Sequence, residues 1–251
     1  MAVAAIPRFR AGLDVSGAWV MLVLSMACAA EAAPSGQGPL VEARRFLAEG
    51  RQEDAAAVLD GWLRGHPDDP AALVERARAE FDAARSQDFY RRALRASPTG
   101  PTAPVALNGI AEFSLASGSP ANAERLARQI VDGFPSSPQA PWATLLVGRA
   151  RLVSGDAEGA IGEVQPLLDA RDPVLRGAAV PVWAQACLAG GRAADAIPVL
   201  SAPAWASDAG ILALLAEAYA ATGQPARADE ACARAADARE AFAANSLSGA
   251  R

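Results

Sequence analysis

The chain carries one histidine, His66, in the stretch GHPDDP, with Asp68 and Asp69 close behind it. An imidazole beside two carboxylates is the material of an acid–base pair or of part of a metal site. A protein metal site needs three or four such ligands, and no second cluster of histidine and cysteine completes this one. The stretch lies between two helical patterns, so it reads as a solvated turn in which Asp69 or its neighbour caps the next helix. Other paired carboxylates, such as Glu53 and Asp54, stand at helix starts, where the dipole favours acids. No GxSxG elbow, P-loop, GxGxxG or HExxH occurs. The sequence therefore predicts no catalytic residue, no metal, no cofactor and no enzyme.

The cysteines stand at 28, 187 and 232. Cys28 falls in GAWVMLVLSMACAA (Gly17 to Ala30), which follows Arg8 and Arg10 and precedes EAAPSGQGP. Positive residues, a short apolar run and small residues at a cut site mark a secretory signal peptide. The run falls short of the roughly 20 residues that a spanning helix needs. Cleavage is expected after Ala32, with an uncleaved anchor as the alternative. SMAC also resembles a lipoprotein box, although Ser25 stands where that pattern prefers leucine. In an exported chain Cys187 and Cys232 could oxidise. Their helices are not expected to be neighbours, so two buried free thiols are predicted.

What must position any functional residue is a helical array. Alanine fills 64 of 251 positions, aromatics only 6%, and the net charge is −5. Alanine, leucine, arginine and glutamate favour helices packed through small side chains. All 23 basic residues are arginine. The acidic balance, with a pI near 5.0, gives no support for nucleic-acid binding.

The array repeats. GRQEDAAAVL at Gly50 returns as GRAADAIPVL at Gly191. With the glycines at 50, 118, 155, 191 and 223 as reference, Ala43, Ala111, Gly148, Ala184 and Ala216 stand seven residues before. Ala55, Ala123, Ala160, Ala196 and Ala228 stand five after. A glycine ends one helix in the left-handed conformation, a second helix follows, and small residues let the two approach. Gly50 and Gly118 are 68 residues apart, so a degenerate unit is predicted between them, with AALVERARAEF and SQDFYRRALRASP as its helices. Pro181 and Pro198 fall inside helical patterns, which predicts a kink near Val180–Pro181 and a second helix ending before Pro203.

A helix–turn–helix unit near 34 residues with these small positions and a closing proline resembles the tetratricopeptide repeat (TPR). Ala43, Phe46, Gly50, Ala55, Leu59 and Pro67 fall on that family's positions in repeat one, and Ala216, Tyr219, Gly223 and Ala228 in repeat six. FPSSPQAP, before the first helix of repeat four, resembles a phrase of bacterial envelope members. The resemblance implies an all-α fold, a right-handed superhelical solenoid of about six helix pairs. Residues 1–32 are expected as a cleaved signal peptide and 33–238 as the repeat domain, with repeats near 36–69, 70–101, 104–138, 141–174, 177–207 and 209–238. Residues 239–251 are expected as a C-terminal cap and frayed tail.

The resemblance also implies a site: a concave groove lined by first helices, at Arg44, Arg78, Asn108, Glu112, Trp142, Arg149, Gln185 and Glu217. Three arginines with an asparagine could grip a peptide carboxylate. The two-carboxylate clamp of some TPR domains needs lysines, which this chain lacks. The function so implied is a non-catalytic protein–protein interaction scaffold of the bacterial envelope, periplasmic or secreted, with a protein or peptide partner and no nucleic acid. A lipid-anchored assembly subunit held at the outer membrane through Cys28 is the alternative. An enzyme acting on cell-wall material, with the array as its body, is a third class.

Overall fold

A computed structural model describes residues 38–248, with side chains to residue 243; the expected signal peptide and Cys28 lie outside them. Twelve α-helices follow one another in pairs among the described residues. They are α1 (Gly38–Ala48) with α2 (Gln52–Gly65), α3 (Pro70–Arg78) with α4 (Ala83–Ala96), and α5 (Ala103–Ala116) with α6 (Pro120–Gly133). After them come α7 (Ala140–Val153) with α8 (Ala157–Val164), α9 (Pro173–Ala189) with α10 (Ala193–Leu200), and α11 (Ala209–Ala221) with α12 (Pro225–Ser248). No strand occurs among the described residues. Each helix packs on the next, and the first helices also pack together from α1 to α3 and from α5 through α11.

Each reference glycine has a positive φ, from 73° at Gly191 and Gly223 to 85° at Gly155, and these are the only residues that do so among those described. The hydrogen bonds around them explain why. Arg51 N–H donates to Phe46 O at 2.8 Å and Gly50 N–H to Leu47 O at 3.1 Å, closing the last helical turn back on itself. The same two bonds recur at the other four turns. The second helix then starts at once. In α2 and α10 the recurring arginine and aspartate clasp its first turn: Arg51 Nε lies 2.7 Å from Asp54 Oδ2, and Arg192 Nε 2.8 Å from Asp195 Oδ2. Three first helices, α3, α9 and α11, carry an aspartate cap. Asp69, Asp172 and Asp208 each accept backbone N–H bonds from the helix that follows.

The small positions form the seam of every pair. Ala43, Ala55, Ala111, Ala123, Ala160, Ala184 and Ala196 are fully buried. At Gly148 even a methyl would overlap Val164 Cγ2 across the seam. Repeat two has no glycine at its turn. Ala79 to Asp82 make a four-residue link, one residue longer than in the other pairs, Asp82 caps α4, and the shortening falls on α3, which has nine residues. There α3 and α5 barely meet, and the contact passes through Tyr90 of α4, whose ring lies over Gly109 of α5.

α9 is a single helix from Pro173 to Ala189 with Pro181 inside it. Pro181 offers no N–H to the Gly177 carbonyl, and Ala179, Val180, Trp183 and Ala184 on either side are all buried. One expectation needs correcting. Cys232 is exposed rather than buried. It falls on α12, where Ala231 and Ala235 face the core instead. The second helix of repeat five does end before Pro203, at Leu200.

A Cβ at Gly118 would meet open space, so only its backbone conformation resists substitution. Gly118→Ala is expected to lower the unfolding free energy by roughly 1–2 kcal/mol, the cost of the left-handed state to an L-residue. Gly133→Ala, at a helical and equally open position, should raise it by roughly 0.4–1 kcal/mol. Urea titrations of the two variants check this opposite pair of signs.

Candidate functional site

The first helices carry a string of polar side chains that begins at Glu75. This carboxylate is 2% exposed, and a buried charge needs partners. Arg44 of α1 donates from Nε to Oε1 at 2.7 Å. Arg78, one helical turn on from Glu75, donates from Nη1 to Oε2 at 3.1 Å and to Oε1 at 3.3 Å. Burial opposes the Arg78 charge, but Glu75 and then the Tyr90 hydroxyl more than restore it, and its pKa is raised. Tyr90 continues the string from α4. Burial pushes its phenol up to about 12, against the pull of Arg78.

On the far side of Tyr90 stands Glu112 of α5. Burial raises its pKa, while a hydrogen bond from Asn108 and the charge of Arg149 act against the rise. Asn108, one turn earlier, donates from Nδ2 to Glu112 Oε1 at 2.9 Å. The other amide atom, Oδ1, is buried without a hydrogen-bond partner. Arg149 of α7 faces Glu112 across the next repeat boundary, and among the described residues it makes no ion pair at contact distance.

The whole assembly has known counterparts in shape. No family model matches the chain, and no curated protein matches it in sequence. Solved structures do. PilW, described as a widely conserved type IV pilus biogenesis factor, superposes with a TM-score of 0.69 at 19% identity, covering 80% of this chain and 91% of that one. A tetratricopeptide repeat protein from Parabacteroides merdae gives 0.57 at 17% identity, covering 79% and 77%. Nearly identical TPR-like repeats of a Podosopora anserina kinesin light chain give 0.52 at 18%, covering 82% and 95%. The fold is the tetratricopeptide repeat.

On the TPR scaffold the implied groove residues divide. Arg44, Arg78, Asn108, Glu112 and Arg149 belong to the one string. Trp142 is partly buried against the hydrophobic cluster of the last three repeats. Gln185 and Glu217 are exposed on α9 and α11 and stand outside the string. Sequence reasoning missed Glu75 and Tyr90. Glu75 had a signal: it lies three residues before Arg78 and 31 after Arg44, close to one repeat. The consequence for chemistry is direct. Arg44 and Arg78 are already bound to Glu75, so of these three arginines Arg149 has the guanidinium without a contacting carboxylate.

The His66 cluster is a structural lock. The imidazole stacks on Trp62 at 3.8 Å between ring centroids. Asp69 accepts the Trp62 indole N–H on Oδ2 at 2.8 Å and the Ala71 and Ala72 N–H groups on Oδ1. Asp68 lines a shallow depression with Arg92, Arg95 and Ala96. Among the described residues no three His, Cys, Asp or Glu side chains are grouped to hold a metal. Burial pushes the Cys187 thiol up to about 11, which leaves little nucleophilic thiolate at neutral pH.

Two stability predictions follow from the string. Glu75→Gln leaves two guanidinium groups without their counter-charge and should cost about 3 kcal/mol in urea unfolding. For Glu112 the folded pKa is raised above the unfolded one. Its contribution is therefore fully present below the usual carboxylate range and lost as pH rises through the folded value. Glu112→Gln should melt above the wild type near neutral pH, and the gap should close near about pH 4. A series of thermal melts against pH reads both the sign and the window.

Proposed function

We propose that this chain is a non-catalytic interaction scaffold of the bacterial cell envelope. It holds a protein or peptide segment along the concave face formed by α1, α3, α5, α7, α9 and α11. The observation that carries this reading is the polar string itself. It runs across four first helices, and its groups are arranged as hydrogen-bonding and charged contacts, with no nucleophile among them. Arginine and asparagine side chains on such a face suit an extended segment, whose backbone and acidic side chains offer matching acceptors and donors.

The N-terminal pattern from Arg8 to Ala32 supports export, and PilW, a biogenesis factor of type IV pili, has a similar fold. A second reading, attachment to the outer membrane through lipidated Cys28, rests on SMAC alone.

A photo-crosslinking residue at Gln185 or Glu217, both exposed on first helices, should capture a partner from envelope extracts. The same residue at Arg91, exposed on α4, should not. Capture only from Arg91 would overturn the assignment to this face. Fractionation is expected to place the mature chain in the periplasm, with Cys28→Ser leaving its processing unchanged. Loss of processing in Cys28→Ser would support the lipid anchor instead.

A further inference from the structure

Glu112 sits where the string changes character. On one side Arg44, Glu75 and Arg78 form a closed set, two guanidiniums on one buried carboxylate. On the other side Arg149 makes no ion pair at contact distance among the described residues, and its charge acts on Glu112 against the rise that burial causes. The groups that face Glu112 are Asn108 from its own helix, Tyr90 from α4 and Arg149 from α7. Arg78 and Glu75 of α3 stand behind Tyr90. Tyr90 is neutral at any ordinary pH, and the Arg44–Glu75–Arg78 set behind it is fixed by its own ion pairs, so the group here whose charge can change is Glu112.

Asn108 can serve Glu112 in either protonation state. It now donates from Nδ2 to Glu112 Oε1. Turning the amide by half a revolution would present Oδ1 to a carboxylic O–H at the same place. Since Oδ1 has no partner to lose, the turn breaks only the bond that Glu112 itself makes. A proton added to Glu112 thus leaves the number of hydrogen bonds in the pair unchanged and removes one negative charge. What changes is Arg149. Its guanidinium loses its internal counter-charge and stands as an uncompensated donor on the groove wall, in surroundings where an ion's partners count for more than in water.

Building on the concave-face reading, we propose that Asn108, Glu112 and Arg149 form a proton-gated binding site for an acidic side chain of the partner segment. With Glu112 ionised, Arg149 is balanced from within and the site is closed to anions. With Glu112 protonated, Arg149 receives the partner's carboxylate. Binding and protonation at Glu112 are then linked, so that binding takes up a proton and the bound segment in turn holds Glu112 neutral. The ligand class is an acidic peptide, and the residue that sets the preference is Arg149.

The test uses the mature full-length chain and a fluorescein-labelled peptide of alternating glutamate and glycine, read by fluorescence anisotropy. Glutamates of a free peptide, with an ordinary pKa of about 4.3, stay ionised from about pH 7.5 to about pH 5.5, so the ligand's charge is constant across the titration. Affinity is expected to rise roughly tenfold over that interval, the gain that a one-unit difference in Glu112 pKa between free and bound protein would give. Glu112→Gln should bind at the acid-limit affinity with a flat profile, and Arg149→Ala should be weak at both ends. Asp88→Asn, an exposed carboxylate on α4, should keep the wild-type response. Circular dichroism at each pH confirms that every variant is folded.

A wild-type profile that is flat overturns the gate, as does a pH response that survives in Glu112→Gln. Equal losses in Arg149→Ala and Arg44→Ala overturn the assignment to Arg149, and no binding at either pH overturns the site. None of these touches the concave-face reading, which rests on where a natural partner crosslinks.

Discussion

Everything in this molecule depends on pairs of helices approaching at alanine-to-alanine distance, and a left-handed glycine permits that approach. The glycine reverses the chain in two residues and returns the freed carbonyls of the first helix to its own N–H groups. Ala43 against Ala55, Ala111 against Ala123 and Ala184 against Ala196 can then be fully buried. With side chains this small there is little apolar area per helix, so no pair could stand alone. The core must be continued from pair to pair. The three hydrophobic clusters that run along the chain are that continuation.

Repeat two shows what happens when the constraint lapses. Without a glycine its link runs to four residues, α3 is cut to nine, and α3 has little contact with α5. Larger and more polar side chains fill the difference. Tyr90 crosses to Gly109, and Arg76, 7% exposed, is held between Asp60 and Glu80 with Phe89 beneath its guanidinium. Buried ion pairs of this kind add little stability over apolar packing, but breaking one is costly. They fix which arrangement the junction takes. The irregular repeat is therefore also where the buried charges of the groove collect, because that is where helix packing leaves room for them.

The seam was legible in the sequence because glycine and alanine are chosen there for size and backbone freedom, and both leave a trace at a fixed offset. The helix pairs and the cap at Asp69 could be read in that way, while the shortening of repeat two falls on α3 rather than on its turn. At Pro181 the rule that proline ends a helix weighs only the lost bond and the ring's clash, and α9 continues through it between residues buried on both sides. Cys232 misled: its offset is buried in the other repeats, but on α12 Ala231 and Ala235 turn to the core and leave it exposed. The polar string was partly legible: first-helix offsets include Arg44, Arg78, Asn108, Glu112 and Arg149, but partnership across repeats depends on side-chain reach. The spacing of Glu75 from Arg44 and Arg78 marks it as their partner only once α1 and α3 are seen to pack together.

That partnership changes what the proposed binding face can be. Counted as residue types, its three arginines would make a cationic surface suited to any carboxylate. Counted with their partners, Arg44 and Arg78 become part of the wall, rigid because Glu75 is buried between them. Arg149 remains the variable element, set against a carboxylate that burial already disposes toward its neutral form. A repeat protein made of nearly interchangeable units thereby acquires one position unlike the rest. It lies beside the junction where the repeat pattern is least regular, because a seam closed by alanine alone has no room for a buried charge and its partners.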